Sequence, residues 1–317
     1  MVTAPAAPSA SNASPSLFGF RIRTDVPLHF LREGGGVEPL DIVVARERAA
    51  RPDGAPLGEW PLHGTARPES AAIYAHPGGF EYWTTDAGRF VVDLAGGRIE
   101  LPPDGDEILR EQRLLGMPML LSFAHRGDIS LHAAAVVIAG GAIVLAAPSR
   151  FGKTTLAFAF HERGHRLLSE DLVCFRPDSG EVIPGPALAR LRPDVYSGTP
   201  PAGFELVARR PDRLFLAPPA GRRGPSAPVP LRGLVFLREG DAVALRQANT
   251  VEAVKDLWHL GFRMPTAEGR AESFRQLTRL ASGVPIWNLY RPLRLDALEE
   301  TIQAILGLAV GASPHRQ

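Results

Sequence analysis

The residues whose types and spacing could carry out chemistry lie between Ser130 and Pro177. Residues 147–154 read Ala-Pro-Ser-Arg-Phe-Gly-Lys-Thr. An apolar run at 142–146 predicts a buried strand before them, and the pattern at 155–160 predicts a helix after them. In a strand–loop–helix unit, the backbone N–H groups and the helix dipole favour a bound phosphate. The predicted nucleotide-binding residues are Ala147, Pro148, Ser149, Arg150, Phe151, Gly152, Lys153, Thr154 and Thr155.

The types of two loop residues predict their roles. Lys153 would place a positive charge on the β- and γ-phosphates of ATP, and the Thr154 hydroxyl would bind Mg²⁺. The loop departs from the Walker A pattern Gly-x-x-x-x-Gly-Lys-Ser/Thr at one position, because Ala147 stands where the first glycine belongs. If that position requires a positive φ, a Cβ is unfavourable there. We therefore expect either a different loop entry or a loop that tolerates the methyl group.

Two adjacent carboxylates follow the next predicted strand. Gly164 is expected to end the helix, residues 166–169 to form the strand, and Glu170 and Asp171 to follow it. A phosphate loop needs a carboxylate opposite it, which binds Mg²⁺ or its water, or orients or deprotonates the nucleophile. His132 begins the strand that precedes the loop strand.

These residues together resemble the catalytic domain of the HPr kinase/phosphorylase family. That family has a His-Gly strand start, a loop ending in Gly-x-Gly-Lys-Ser, and the run Arg-Gly-His-Arg-Leu-x-x-Asp-Asp. The counterparts here are His132, residues 147–154, and residues 163–167 followed by Glu170 and Asp171. Residues 185–187 resemble the family's Gly-x-Ala-Pro turn. Arg192 is a loose counterpart of the Arg in its Glu-Ile-Arg-Gly signature, whose Glu is absent here.

The resemblance implies an ATP- and Mg²⁺-dependent serine kinase that acts on a peptide or protein. The chain is more similar to the divergent HPr-kinase-like proteins of peptide-maturation gene clusters, including those that phosphorylate lasso-peptide precursors. The implied catalytic residues are His132, Lys153, Glu170 and Asp171, and the implied Mg²⁺ ligands are Thr154 and Asp171. One carboxylate of the pair would accept the proton of the acceptor hydroxyl and the other would hold the metal, but residue types do not assign these roles.

A phosphate-binding loop is also compatible with three other functions. Ala147, Phe151 and the missing Glu near Arg192 motivate a nucleotide-binding regulatory scaffold without phosphate transfer. A small-molecule kinase would use the same catalytic residues. A motor-type ATPase or GTPase is disfavoured, because the sequence has no Asn/Thr-Lys-x-Asp motif and no second ATPase signature.

The elements that must position these residues indicate an α/β fold. We expect a P-loop kinase domain of HPr-kinase type over 127–311, preceded by a small β-rich N-terminal domain over 17–103 and a connector helix over 104–126 that Pro118 kinks or breaks. Residues 1–16 and 312–317 are expected to be disordered or frayed. Since the phosphate-binding signals lie after Gly127, nucleotide binding is expected to be independent of the N-terminal domain.

The C-terminal half is less regular in sequence. Residues 193–232 are predicted to be irregular, and their arginines suit either a solvated loop or a lid that grips ATP or an acidic substrate. Residues 233–238 and 242–246 are predicted to pair as a hairpin through a turn at 239–241. Helices are expected over 251–262, 271–280 and 296–306, with a strand over 285–290.

Composition bears on the partners of the protein and on its location in the cell. The formal net charge of +1 offers no argument for a nucleic-acid or membrane partner, and the single cysteine, Cys174, excludes an intramolecular disulfide. There is no apolar run of about 20 residues and no signal-peptide pattern. We therefore expect a cytoplasmic protein with a peptide or protein substrate, and a homo-oligomer remains open.

Overall fold

A computed structural model describes residues 14–62, 68–192, 201, 203–211 and 213–311. Within these residues the chain is a mixed α/β structure with two nine-stranded sheets, a three-stranded sheet and six α-helices. The predicted tails at 1–13 and 312–317 lie outside the described residues. Residues 15–17 form a strand, so the predicted disordered segment was too long at its C-terminal end. No described helix is long and apolar enough to cross a membrane.

The first sheet contains the strands of residues 15–101. They are β1 (Pro15–Leu17), β2 (Phe20–Thr24), β3 (Arg32–Glu33), β4 (Glu38–Val44), β5 (Gly58–Leu62), β6 (Glu69–His76), β7 (Gly79–Thr84), β8 (Gly88–Asp93) and β9 (Arg98–Leu101). Their order is β3-β1-β2-β4-β9-β8-β7-β6-β5. The period-two pattern of β2 explains its orientation, because Phe20 and Ile22 are buried while Arg21 and Arg23 are exposed.

The second sheet carries the candidate site. Its strands are β10 (Ile129–Leu131), β11 (Ala133–Ile138), β12 (Gly141–Ala146), β13 (Arg166–Ser169), β14 (Val173–Arg176), β15 (Glu181–Ile183), β19 (Val229–Glu239), β20 (Ala244–Gln247) and β21 (Ile286–Arg291). The order is β10-β14-β15-β19-β12-β11-β13, and β21 pairs with β19 and with β20. The pairs β12–β19 and β19–β21 are parallel, so these three strands end at the same edge.

Six helices accompany the sheets. They are α1 (Glu107–Leu114), α2 (Met117–Arg126), α3 (Lys153–Glu162), α4 (Thr250–Leu260), α5 (Ala267–Gly283) and α6 (Leu298–Gly311). Apolar residues cover both faces of β12: Ile143 and Leu145 belong to the core that α3 and α6 share, and Val144 to the core that α4 and α5 share. A strand buried on both faces needs a continuous apolar run, which is what residues 142–146 supply.

Two predicted elements differ from the structure. The connector at 104–126 is two helices, which break at Gly116, and Pro118 lies in the first turn of α2, where its missing N–H costs nothing. The hairpin predicted over 233–246 is wrong, because β20 pairs with β21, and β21 is inserted between β20 and β19. Sequence proximity favoured the hairpin, but parallel pairing with β19 buries β21.

The segment predicted to be irregular contains regular structure. It contains strands β17 (Glu205–Arg209) and β18 (Leu214–Ala217), which form an antiparallel sheet with β16 (Ala189–Leu191), just before the segment, in the order β16-β18-β17. Residues 193–200, which belonged to the same prediction, lie outside the described residues. The central strand of the small sheet, β18, is buried on both faces: Leu214 and Leu216 join the core of α3, whereas Phe215 joins the core of the first sheet.

The two large sheets share buried side chains. The core of the first sheet includes Cys174, Ile183 and Phe215 from the second half of the chain, and the rings of Phe30 and Phe215 stack with centroids 6.0 Å apart. Arg32, which is 5% exposed, donates hydrogen bonds to the carbonyl oxygens of Gly185, Leu168 (3.0 Å) and Gly224 (3.1 Å). This shared core argues against the expectation that the second half binds nucleotide independently.

Arg32→Ala should lower the free energy of unfolding by about 3 kcal/mol, because it leaves buried carbonyl groups without their donor. One of these carbonyls, Leu168 O, belongs to the strand that precedes Glu170. Urea denaturation measures the change. The matched control is Arg23→Ala, whose side chain is 62% exposed and should matter by no more than about 0.5 kcal/mol. Equal stability of the two variants would contradict the role given to Arg32.

Candidate active site

The loop after β12 ends in a left-handed turn that opens α3. Gly152, with φ of 76°, precedes the first residue of α3, and no side chain caps the helix. Arg150 is also left-handed, with φ of 71°. Alternation of this kind turns backbone N–H groups toward one point, and the positive end of the helix dipole lies there. The geometry therefore suits an anion at the N-terminus of α3.

Ala147 explains how the loop tolerates the missing first glycine. The non-glycine residues with positive φ in the described chain are Phe18, Ala139, Arg150 and Asp171, so Ala147 has no left-handed strain. Its side chain is 1% exposed and packs in the core beneath α3. The methyl group thus contributes to the core at no conformational cost.

Lys153 lies folded back over the start of the loop. Its Nζ donates to Ala147 O at 2.7 Å and to Pro148 O at 3.1 Å, and lies 3.1 Å from His132 Nε2. Lys153 as a whole is only 7% exposed. Burial lowers the pKa of the ammonium group, against the opposing effect of the nearby carboxylates Asp171 and Glu170.

His132 connects Lys153 to the carboxylate pair. It lies between β10 and β11, and its Nδ1 is 3.1 Å from Asp171 O and 3.3 Å from Asp171 Oδ1. Burial lowers the pKa of the imidazole, although Asp171 opposes this shift. We assign the neutral tautomer with the proton on Nδ1, since Nε2 then accepts from Lys153 and Nδ1 donates to Asp171.

Glu170 and Asp171 face different partners. Thr154 Oγ1 donates to Glu170 Oε1 at 2.7 Å, whereas Asp171 contacts His132 and forms an ion pair with Arg190. The φ of 69° at Asp171 reverses the chain there. As a result, the Glu170 side chain is 5% exposed and the Asp171 side chain is 39% exposed.

The environments also separate the acidities of the pair. Burial, followed by the charge of Asp171, raises the pKa of Glu170 to about 7. Burial opposes ionisation of Asp171 as well, but Arg190, His132 and Lys153 outweigh it and hold the Asp171 pKa below its ordinary range. Asp171 is therefore the more acidic member of the pair, and Glu170 keeps its proton to higher pH.

Arg190 is the site residue that the sequence did not reveal. Its Nε lies 3.7 Å from Glu170 Oε2, and one of its terminal nitrogens donates to Asp171 Oδ2. The predicted counterpart was Arg192. The period of two in β16 buries Ala189 and Leu191 on one face, so it could have shown that Arg190 shares the opposite face with Arg192. It could not have shown which of the two reaches the carboxylates.

Magnesium fits one side of the pair better than the other. Glu170 Oε2 is a buried oxygen without a hydrogen-bond partner, and Glu170 Oε1 already contacts the Thr154 hydroxyl. Hard oxygen donors of this kind suit Mg²⁺, which takes few protein ligands and completes its shell with phosphates and water. The sequence predicted Thr154 and Asp171 as the Mg²⁺ ligands. In the structure, Glu170 rather than Asp171 contacts the Thr154 hydroxyl. The described residues contain no cluster of three or more His, Cys, Asp or Glu that could hold a metal by itself.

The remaining predicted residues line the loop and the first turn of α3. Pro148, Ser149 and Arg150 are exposed, Phe151 is half-buried against the core of α3, and Thr155 lies one residue after Thr154. His132, Lys153, Thr154, Glu170 and Asp171 are all brought into one connected site. Cys174 follows Asp171 by three residues and is buried. Burial raises the pKa of its thiol well above the usual range.

In the metal-free protein, the stability difference between wild type and Glu170→Gln should depend on pH. A folded-state pKa of about 7 against an unfolded value near 4.5 means that the folded state binds more protons in this window. The Glu170 contribution is therefore fully present below pH 4.5 and lost as the pH rises through 7, by roughly 1–3 kcal/mol. Urea denaturation in EDTA measures it, and a pH-independent difference would contradict the raised pKa.

Comparison with known proteins gives limited similarity. No family model matches this chain, and no curated protein matches it. Among solved structures, the HPr(Ser) kinase/phosphatase from Coxiella burnetii matches with a TM-score of 0.32 and 14% sequence identity, over 57% of this chain and 98% of that chain. Both values are too low to carry a functional conclusion, so the function must be argued from the geometry of the site.

Proposed function

We propose that this protein is an ATP-dependent kinase that transfers the γ-phosphate to a hydroxyl group. The observation that carries the proposal is a closed ring of contacts around the N-terminus of α3. It runs through Thr154, Glu170, Arg190, Asp171, His132 and Lys153. Phosphoryl transfer depends mainly on positioning and charge stabilisation. The proposal is supported by the cations, the Thr154 and Glu170 oxygens and the more accessible Asp171 carboxylate that meet in this ring.

The loop and the metal side would hold the nucleotide. The N-terminus of α3 binds the phosphates, and Lys153 turns from its contacts with the loop carbonyls to the β- and γ-phosphates. Thr154 and Glu170 would hold Mg²⁺, which neutralises charge on the phosphate oxygens when it is bound.

Asp171 is the residue that would receive the acceptor. Its side chain is 39% exposed, whereas that of Glu170 is 5% exposed, so an incoming hydroxyl reaches Asp171. Asp171 orients this hydroxyl and accepts its proton, and Arg190 and His132 hold the carboxylate in place. His132 would lie at the γ-phosphate or the acceptor.

The acceptor we propose is a serine of a peptide or protein, such as a ribosomally made precursor peptide. An exposed carboxylate suits a hydroxyl on a large substrate, and the residues at 132, 147–154 and 163–171 carry the resemblance to serine kinases described above. A small-molecule acceptor would use the same site residues.

The test is incubation of the full-length protein with Mg²⁺, ATP labelled in its γ-phosphate, and a library of serine-containing peptides and small alcohols. Label appearing in a peptide supports the proposal, and label appearing only in a small alcohol identifies a small-molecule kinase. ATP binding without transfer to any acceptor would support the regulatory scaffold instead, which Ala147 first suggested. Absence of ATP binding would refute the proposed function.

A further inference from the structure

Arg291 lies buried against the loop between β12 and α3 and takes no part in the ring of contacts around α3. It is the last residue of β21, which ends at the same edge as β12 because both strands run parallel to β19. The residue is 5% exposed, and one terminal nitrogen, Nη2, donates to Phe151 O at 2.7 Å. The other terminal nitrogen contacts Pro292 O at 3.4 Å.

The positive charge of Arg291 has no counter-charge in the described part of the chain. No carboxylate among the described residues lies within ion-pair distance of it, and its Nε is buried without a hydrogen-bond partner. Glu239 is its neighbour in the β19–β21 ladder, but the Glu239 residue is exposed and forms no ion pair with it. Burial accordingly lowers the pKa of the guanidinium. A buried cation in this state is strongly unfavourable unless an anion joins it.

The close approach of Arg291 also explains Gly152. A Cβ on Gly152 would lie 2.5 Å from Arg291 Nη2, which is closer than such atoms approach. The guanidinium therefore lies directly against the residue that precedes α3, where the backbone favours an anion. Lys153 contacts the carbonyls at the start of the loop, and Arg291 contacts the carbonyl near its end. The two cations thus bracket the loop.

We propose that Arg291 is a second phosphate-binding cation of this site and that its missing counter-charge is the phosphate chain of the nucleotide. The inference rests on the proposed function. A guanidinium has five N–H donors in a fixed plane, which match phosphate oxygens, and its Nε donor is unused here. Lysine in its place would keep the charge but lose the planar donors.

The test compares Arg291→Met and Arg291→Lys with wild type in the full-length protein. Calorimetry measures the affinities of ATP, ADP, AMP and inorganic tripolyphosphate with Mg²⁺, and thermal unfolding measures the stability of the nucleotide-free protein. Arg291→Met should weaken ATP and tripolyphosphate binding at least 10-fold and AMP binding less, and Arg291→Lys should recover part of the loss. The melting temperature without nucleotide should stay the same or rise, because an uncompensated buried charge has been removed.

The matched control is Arg246→Met, which removes an arginine from β20 of the same sheet. Its guanidinium is exposed and pairs with Glu252, so neither nucleotide affinity nor selectivity should change. Unchanged ATP affinity in Arg291→Met would overturn the inference while leaving the proposed function intact. A lower melting temperature without nucleotide, together with weaker binding of all four ligands alike, would also overturn it, since Arg291 would then only support the loop. If wild type binds none of the ligands, the proposed function fails and the inference fails with it.

Discussion

Asp171→Asn should lower the rate of phosphate transfer by about 10²–10⁴-fold while ATP affinity stays within a few-fold of wild type. The substitution keeps the size of the side chain but removes the charge that accepts the acceptor proton. Asp171 is the more exposed member of the pair, and Arg190, His132 and Lys153 stabilise its negative charge and hold its pKa below its ordinary range. Its loss should therefore affect the chemical step and spare the phosphate contacts made by the loop.

Glu170→Gln provides the contrasting result. Glu170 accepts a hydrogen bond from Thr154, and its Oε2 has no hydrogen-bond partner. Its substitution should therefore also reduce transfer, but should raise the Mg²⁺ concentration needed for half-maximal rate. Steady-state phosphorylation of an identified acceptor across a Mg²⁺ titration separates the two variants. Glu162→Gln, at the exposed end of α3, is the control and should match wild type. Turnover like wild type in both site variants would refute the kinase mechanism and favour the regulatory scaffold.

Lys153→Met should weaken ATP binding by about 10–100-fold, the value expected for one charge-assisted hydrogen bond to phosphate. The same substitution removes the donor of Ala147 O and Pro148 O, so a small loss of stability is expected as well. Calorimetry at a temperature well below the unfolding transition measures affinity in the folded protein. Equal affinity in wild type and Lys153→Met would refute the assignment of the phosphate site.

The lysine content of the chain permits an independent check of this prediction. Lys153 and Lys255 are the only two lysines, and Lys255 is exposed on α4. An ATP analogue with a lysine-reactive acyl group on its terminal phosphate should label Lys153, and excess ATP should prevent this labelling. Lys255→Met is the control and should change neither the labelling of Lys153 nor the affinity for ATP. ATP-insensitive labelling of both lysines would contradict a phosphate site at Lys153.

The local elements of the site could be predicted from the sequence. The apolar run at 142–146 forms β12, the pattern after it forms α3, and residues 166–169 form β13. The residue types allowed Asn249 or Thr250 to cap the next helix, and Asn249 caps α4 through Glu252. These predictions succeeded because hydrophobic period, capping side chains and glycine conformations act over a few residues, and the sequence states them directly.

The roles of individual charged residues were not decided by the sequence. Arg190 contacts the carboxylates because of where the three-stranded sheet places β16 in the fold. The alternation in β16 puts Arg190 and Arg192 on the same face, so it does not distinguish them. The positive φ of Asp171 separates it from Glu170, although the two are adjacent and similar in type. Pairing geometry between distant strands decides which side chain is exposed and which contacts Thr154.

Local sequence was sufficient to predict a strand–loop–helix unit with a lysine, a threonine and a nearby pair of carboxylates. Folding of the whole chain brings Arg291 within 2.7 Å of Phe151 O across 140 residues, and brings Arg32 into hydrogen bonds with the strand that precedes Glu170. The physical reason is that local periodicity specifies which face of an element is apolar, whereas its neighbour is chosen by the packing of all such faces into shared cores. Contacts made far apart in the chain therefore follow from the whole fold and not from any one segment.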